Sequence, residues 1–209
     1  MVCHLSCKRY ETLHHIKQTA GQGKRKKRNV FIHPKRRRAG NGARFAYEKH
    51  WIGWPGICVD NDSDKQAIGE KLEELNFHPV FLSDTQIKNY YEGYSNSTIW
   101  PLCHYFFAYT LYKDTFWQAY QEVNKRFCET ICRLIGPEDK VWVQDYQLML
   151  LPGMLREAVP DLCIGYFHHI PFPSYELFRI LPERAEILKG LLGADFIAFH
   201  THDYMRHFI

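Results

Sequence analysis

The stretch from Val141 to Pro173 constrains the fold of this chain more than any other part of the sequence. It contains a short apolar run that ends at Asp145, a segment of helix length, and a second apolar run from Leu162 to Phe167. This pattern predicts a strand, a crossover helix and a second strand. Uniformly apolar strands are typical of a parallel sheet covered on both faces. The stretch therefore predicts an α/β fold with a doubly wound, mostly parallel sheet.

Asp145 and His169 each follow one of these two predicted strands. Because adjacent parallel strands end at the same edge of a sheet, and ligands bind at that edge in open α/β folds, both side chains are candidates for chemistry. An acid and a histidine suit a general base, metal ligands or hydrogen bonds to a sugar. The simpler alternatives are that Asp145 caps the next helix and that His169 is structural. Pro171 and Pro173 set a rigid turn that fixes the direction of His169.

Helical and strand patterns continue on both sides of this stretch. Capping residues and hydrophobic periodicity predict five further helices and two further strands. These are the helices from Asp62 or Ser63 to about Leu75, from Ser83 or Asp84, from Asp114 to Ile135, from Tyr175 to Leu181 and from Pro182 to Leu192, and the strands His78–Leu82 and Asp195–His200.

The segment from Tyr90 to Pro101 is crowded with Tyr, Ser and Thr hydroxyls and contains one indole N–H, that of Trp100. Such neutral donors can hydrogen-bond an oxyanion or a sugar. The alternative, which is the common one for aromatic clusters, is that these side chains belong to the core.

Charge divides the chain near residue 45. The whole chain has 209 residues, is 45% apolar and carries a net charge of +4, which suits a globular domain. Residues 1–45 nevertheless contain nearly half of all Lys and Arg residues and a single acid, Glu11. Two basic clusters, Lys24–Arg28 and Lys35–Arg38, lie among glycines without apolar periodicity, as in an arm that binds nucleic acid or directs localisation. We therefore predict a basic, poorly ordered segment (1–45) and a globular part (46–209).

Neither a membrane span nor an export signal is evident in the sequence. No apolar run reaches membrane-spanning length, and Met1 to Ala20 lacks the apolar core of a signal peptide. The seven cysteines are odd in number and mostly lie in apolar segments, which suits reduced thiols better than disulfides. We expect a cytoplasmic protein.

Five motifs, in their order and spacing, resemble the synthase half of the trehalose-6-phosphate synthases. They are WIGWPG at 51–56, YYEGYSNSTIWPLCHY at 90–105, VWVQDYQLML at 141–150, GYFHHIPFP at 165–173 and DFIAFHTHDY at 195–204. The resemblance runs from about Tyr47 to Ile209. It implies a retaining glycosyltransferase of the two-lobed GT-B type, of which this chain is the Rossmann-like, acceptor-side lobe. The implied reaction transfers glucose from UDP-glucose to glucose 6-phosphate and gives trehalose 6-phosphate and UDP, without a metal or other cofactor.

The resemblance also implies roles for five residues. Tyr91 and Trp100 match the pair that binds the acceptor phosphate, and Trp54 matches an aromatic residue of the acceptor pocket. Asp145 matches the acid that hydrogen-bonds sugar hydroxyls, and His169 matches the histidine beside the donor glucose. Asp145 and His169 are therefore the expected catalytic residues. The family pattern has no covalent nucleophile, since the departing phosphate accepts the acceptor's proton, and the protein orients two sugars and stabilises charge.

The sequence departs from the family in two respects. A strand with an Asn-Arg pair and a loop of the form SAGGL, which precede the first motif in the family, are not found. Residues 35–45 can be encoded by codons that give this loop when read one base later, which favours an out-of-frame stretch. The second lobe, which holds the nucleotide, is expected to be absent. We therefore expect an incomplete chain with little or no activity of its own.

Two classes of function follow from the sequence. The first is the glycosyltransferase, with UDP-glucose and glucose 6-phosphate as substrates and a homo-oligomer or a second-lobe chain as the expected partner. The alternative is a non-catalytic binding or regulatory module whose basic arm recruits nucleic acid. The resemblance favours the enzyme and gives no role to a membrane.

Overall fold

A six-stranded sheet with the order β3-β2-β1-β4-β5-β6 forms the centre of the molecule. The computed structural model describes residues 29–33, 49–136 and 138–209. Its strands are β1 (Asn29–His33), β2 (His50–Gly53), β3 (Phe77–Pro79), β4 (Lys140–Gln144), β5 (Cys163–His168) and β6 (Phe196–Phe199). The pairs β2–β3, β4–β5 and β5–β6 are parallel, and β1 is antiparallel to both β2 and β4. The sheet is therefore mostly parallel, as predicted.

The strand β1 lies within the segment that we predicted to be poorly ordered, and the structure differs from that prediction at these five residues. Val30 pairs with Ile52, and Ile32 pairs with Val141. Because β1 runs opposite to both neighbours, the other strands of the sheet all point the same way, and their carboxyl ends form one edge. Both basic clusters lie outside the described residues. A prediction that is based on the charge of a whole segment does not detect a five-residue strand between two basic clusters.

Helices connect the strands of the sheet. They are α1 (Asp62–Glu73), α2 (Asp84–Gln86), α3 (Trp100–Cys103), α4 (Asp114–Cys132), α5 (Leu151–Ala158), α6 (Tyr175–Phe178), α7 (Arg184–Leu191) and α8 (His202–Phe208), with 3-10 helices at Phe107–Tyr109 and Tyr146–Leu148. Among the described residues, no helix is long and apolar enough to cross a membrane.

The predicted helix caps are partly confirmed. Ser83 caps α2 through a capping box with Gln86, as the sequence indicates. The cap of α1 is Asn61, whose side chain accepts a hydrogen bond from the Ser63 N–H at 2.9 Å, so the prediction of Asp62 or Ser63 was wrong by one or two residues. Asn is as good a cap as Asp or Ser, and the sequence alone could not rank these neighbours.

The segment between α2 and α3, Ile87–Ile99, is a π-helix of 13 residues. The sequence predicted a helix here but not its type. Most π-helices are single turns within α-helices and are frequent at functional sites. This one carries most of the hydroxyl-rich segment that we singled out.

The apolar face of α4 packs in the core as predicted. Tyr120, Val123 and Ile131 are fully buried. Leu134 falls on the same face by helical spacing and lies within the predicted helix Asp114 to Ile135, but α4 ends at Cys132 and Leu134 is 38% exposed. The residues beyond the end of a helix no longer follow its periodicity, which explains this difference.

Candidate active site

The candidate site begins at Asp145, the first residue after β4. Asp145 is buried, with 3% of its surface exposed, and has φ 77° and ψ 168°. This backbone conformation is essentially restricted to glycine, and non-glycine residues that adopt it cluster at functional sites. The Asp145 N–H donates to the Phe167 carbonyl at 2.8 Å, and this bond to β5 helps to hold the strained residue in place.

Asp145 and His169 lie side by side, which confirms that they share one edge of the sheet. The Asp145 Oδ1 accepts hydrogen bonds from the N–H of His169 at 3.2 Å and from the N–H of Tyr146 at 2.9 Å. The His169 Nε2 lies 2.9 Å from the Gln144 Oε1. The simpler alternative for Asp145 also holds, because its side chain caps the 3-10 helix Tyr146–Leu148. The Asp145 carboxylate thus has a structural role as a cap in addition to any chemical role.

A third strand brings His200 to the same edge. His200 follows β6, and its ring centroid lies 5.4 Å from that of His169. Phe167 contacts both rings, at centroid distances of 4.4 Å and 5.0 Å. The sequence analysis did not select His200, although its place at the end of a predicted apolar strand is the same signal that selected Asp145 and His169. That strand, β6, is half-buried, and Phe196 is 60% exposed.

His168, the last residue of β5, is fully buried. Burial, with neighbouring histidines as a smaller cause, lowers the pKa of His168 from 6.5 to about 3. Its Nδ1 lies 3.0 Å from the hydroxyl of Tyr166. His168 is therefore a neutral core residue, and of the two adjacent histidines only His169 is placed at the site.

Trp54 and Tyr91 come together at the carboxyl end of β2. Their ring centroids are 5.5 Å apart with the planes tilted by 56°, and both residues are half-buried. The Trp54 indole N–H donates to the Ile57 carbonyl at 3.0 Å, which fixes the orientation of the indole. Two rigid aromatic rings in contact can form one wall of a pocket.

Trp100 opens α3 and is 38% exposed. Its ring stacks on that of His104, with the centroids 4.0 Å apart. The helical segment that carries Tyr91 and Trp100 contacts the turn after Asp145, because the Tyr146 hydroxyl donates to the Asn96 Oδ1 at 2.8 Å. The structure therefore places this segment beside the Asp145 turn.

Comparison with known proteins identifies the family. The model of glycosyltransferase family 20 matches residues 12–209. The chain belongs to glycosyltransferase family 20. The family-20 match begins within the basic segment, and the resemblance found in the sequence is confirmed.

Several family-20 relatives resemble this chain closely. The UDP-forming α,α-trehalose-phosphate synthase of Pichia angusta is 47% identical over 165 residues, which are 76% of this chain and 35% of that protein. The crystal structure of a UDP-forming α,α-trehalose-phosphate synthase from Burkholderia xenovorans matches with a TM-score of 0.67 and 31% identity, over 76% of this chain and 35% of that one. A structure of such an enzyme from the same organism in complex with glucose-6-phosphate matches with a TM-score of 0.66 and 27% identity, over 76% of this chain and 35% of that one.

These comparisons confirm the predicted fold class, a Rossmann-like lobe of a GT-B glycosyltransferase. They also set its extent, since this family-20 chain spans about a third of the length of the curated relatives that it matches.

Proposed function

We propose that this chain provides the glucose 6-phosphate side of a retaining glucosyltransferase site, which converts UDP-glucose and glucose 6-phosphate into trehalose 6-phosphate and UDP. The observation that carries this proposal is the hydrogen bond from the His169 N–H to the Asp145 carboxylate. It fixes an acid and an imidazole side by side at the edge where α/β folds bind ligands. The names of the family-20 relatives support the same reaction.

The acceptor would bind between the π-helix and the Asp145 turn. The phenol O–H of Tyr91 and the indole N–H of Trp100 would donate to the phosphate oxygens. Trp54, packed against Tyr91 at 5.5 Å, would form the wall of the sugar pocket. Neutral donors on rigid rings lose little rotational freedom on binding, which favours affinity.

Asp145 would hold the acceptor sugar. Its carboxylate is fixed in direction by two backbone N–H groups, and an ionised carboxylate forms strong hydrogen bonds to hydroxyl groups. The His169 ring would lie beside the donor glucose. The departing phosphate of UDP would accept the acceptor's proton, so the protein's contribution is to align the two sugars and to stabilise the developing charge.

Turnover requires residues that hold the nucleotide diphosphate. Because the chain spans about a third of the length of its relatives, we predict that the 209-residue chain binds glucose 6-phosphate but turns over little by itself. A second-lobe chain is the partner that would restore activity. We place this reaction in the cytoplasm, where both sugar phosphates are available.

Glucose 6-phosphate binding, measured by titration calorimetry, tests the acceptor site. We expect Asp145→Asn and Tyr91→Phe to weaken binding about 10- to 100-fold. Tyr91→Phe removes a hydrogen bond to the charged phosphate, and Asp145→Asn removes the charge that strengthens the hydrogen bonds to the sugar. Asn keeps an oxygen that accepts the two backbone bonds, so the fold should persist. The matched controls are Asp161→Asn and Tyr109→Phe, both of which alter exposed residues. Equal losses in the controls, or equal affinity for glucose and glucose 6-phosphate, would contradict the proposal.

UDP release tests the dependence on a second lobe. The chain is assayed with both substrates, alone and after mixing with the nucleotide-binding lobe of a relative. We expect turnover only in the mixture, because unmatched charge in the transition state abolishes catalysis. Rapid UDP release by the chain alone would contradict this prediction.

A further inference from the structure

The spacing between Tyr91 and Trp100 places their side chains on the same side of a π-helix but on opposite sides of an α-helix. The two residues are nine positions apart. In an α-helix nine positions make about two and a half turns, which places the side chains on opposite sides. A π-helix has about 4.4 residues per turn, so nine positions make about two turns and place the side chains on the same side. The helix from Ile87 to Ile99 is a π-helix.

The burial of side chains also follows the period of a π-helix, and this observation does not depend on the backbone hydrogen bonds. The buried positions Tyr90, Tyr94 and Ile99 recur at intervals of four and five residues. The half-buried or exposed positions Tyr91, Asn96 and Trp100 recur at intervals of five and four. An α-helix would bring exposed and buried residues together on each face. At the end of the segment, the Trp100 N–H donates to the carbonyl of Ser95, five residues back.

Contacts from outside the helix hold this register. The Thr98 hydroxyl donates to the Leu111 carbonyl, and the Leu111 N–H donates to the Ser97 carbonyl at 2.8 Å. The two bonds with Leu111 tie the end of the segment to the chain that follows it, and the Leu111 N–H occupies the Ser97 carbonyl. Within the helix, the Ser97 hydroxyl donates to the carbonyl of Glu92, five residues earlier, at 2.6 Å, which agrees with the wide turn.

We propose that the π register assembles the acceptor phosphate site, because it presents Tyr91 and Trp100 on one face where both donate to the same phosphate. Asn96 lies between them on this face and is tied to Tyr146 at 2.8 Å, which aligns the face with the Asp145 turn. The role of Tyr91 and Trp100 in phosphate binding rests on the proposed function, whereas the π-helical register does not.

Paired histidines that chelate Ni²⁺ test the register. Residues five apart diverge by about 50° in a π-helix but by about 140° in an α-helix, whereas residues three apart diverge by about 115° and 60°. The first variant is Glu92→His with Ser97→His, five apart. The second is Asn89→His with Glu92→His, three apart. The matched control is Gln118→His with Gln121→His, three apart and exposed on the regular helix α4.

We expect the Glu92/Ser97 pair to bind Ni²⁺ on the order of 10²-fold more tightly than either single-histidine variant, because the second ligand binds intramolecularly. The Gln118/Gln121 pair should do the same, and the Asn89/Glu92 pair should not. Weak binding by the Glu92/Ser97 pair, or tight binding by the Asn89/Glu92 pair, overturns the inference. If a pair fails to fold, a nuclear Overhauser effect between the Hα of Glu92 and the amide proton of Ser97 in the unsubstituted protein reports the register.

A double-mutant cycle tests whether Tyr91 and Trp100 act on one phosphate. The losses in glucose 6-phosphate affinity from Tyr91→Phe and Trp100→Phe should be non-additive, as expected for residues that share a partner. Additive losses overturn the shared phosphate. If Ni²⁺ binding confirms the register but glucose 6-phosphate does not bind at all, the proposed function fails while the register stands.

Discussion

The two sides of the candidate site are built in different ways. On one side, Asp145 and His169 follow regular parallel strands and are joined by a hydrogen bond of 3.2 Å. On the other side, Tyr91 and Trp100 are carried by a rare π-helix. The strand side needs two buried parallel strands that end at the same edge, and the apolar runs of the sequence indicate both strands. The helix side needs a register that outside contacts select, and the same residues in an α-helix would face opposite ways.

One buried residue joins the two sides. The Tyr120 hydroxyl donates to the Tyr146 carbonyl at 2.7 Å and accepts from the Met149 N–H at 3.0 Å. Its ring centroid lies 4.6 Å from that of Tyr94 and 5.8 Å from that of Tyr90. Burial raises the pKa of Tyr120 well above its ordinary value of 10.0, which keeps the hydroxyl neutral. Tyr120 thus connects the turn after Asp145 with the π-helix.

Among the substitutions that test stability, Tyr120→Phe has the largest expected effect, because it removes a hydroxyl that links the two sides. Loss of the hydroxyl leaves two buried backbone groups without their partner, at a cost of about 3 kcal/mol in the free energy of unfolding. Urea denaturation measures this, with Tyr109→Phe as the exposed control. A change below the error of the measurement would show that Tyr120 does not stabilise the connection, which the bond from the Tyr146 hydroxyl to Asn96 would then carry.

Gly165→Ala probes the strand side alone. Gly165 pairs with Trp142 across β4 and β5, and a Cβ at Gly165 would lie 2.4 Å from the Trp142 ring. Because the ring must shift within packed surroundings, we expect a loss of about 2 kcal/mol in the free energy of unfolding, also measured with urea.

A matched glycine offers the contrast. Gly69→Ala lies within α1, where an added Cβ meets nothing within 4 Å, and it should stabilise the protein by about 1 kcal/mol through helix propensity. Equal effects of the two glycine substitutions would contradict the close packing of Trp142 on β5.

The pH dependence of stability tests the burial of His168 on the strand side. Burial lowers the pKa of His168 to about 3 in the folded protein, whereas an unfolded histidine titrates near 6.5. Between these values the unfolded chain binds a proton that the folded protein does not. The free energy of unfolding should therefore fall as the pH falls from about 6.5 towards 3, by at most about 1.4 kcal/mol per pH unit.

Comparison with His168→Leu isolates this contribution. Urea midpoints of the variant at pH 7, 6 and 5 should decrease less steeply than those of the unsubstituted protein. Parallel curves for the two proteins would show that His168 is already protonated, or accessible to protons, in the folded state.

The smallest expected effect is that of Thr98→Val on the helix side. Thr98 is fully buried and its hydroxyl donates to the Leu111 carbonyl, so its loss should cost about 1 kcal/mol. Hydrogen exchange should locate the effect: amides of the π-helix should exchange faster, while those of β4 and β5 stay protected. Faster exchange throughout would place Thr98 in the general core instead.

Much of the strand side could be predicted from the sequence. The apolar runs before Asp145 and His169 indicate buried parallel strands, and the position of each residue after its strand fixes the edge at which it lies. The same reasoning applied to β6 would have selected His200. The role of Asp145 as a cap was also foreseen, because an acid at the start of a helical segment accepts backbone N–H groups wherever the strand ends.

The helix side could be predicted only in part. The hydroxyl-rich composition around Tyr91 and Trp100 indicated polar contacts, and Ser83 marked where the helix begins. Its register was not predicted, because π- and α-helices draw on similar residues and differ only in which carbonyl each N–H reaches. The strand β1 was missed for a related reason, since its pairing with β2 and β4 depends on distant partners rather than on its own residues.

The sequence by itself determined the fold class, the family and the edge at which Asp145 and His169 meet, because these follow from short-range periodicity and from motifs of fixed spacing. The tertiary structure decided the antiparallel strand at the centre of the sheet, the strained backbone of Asp145 and the π register that turns Trp100 to the side of Tyr91. Each of these features is held by hydrogen bonds and packing between residues far apart in the chain, and local sequence patterns do not reveal such contacts.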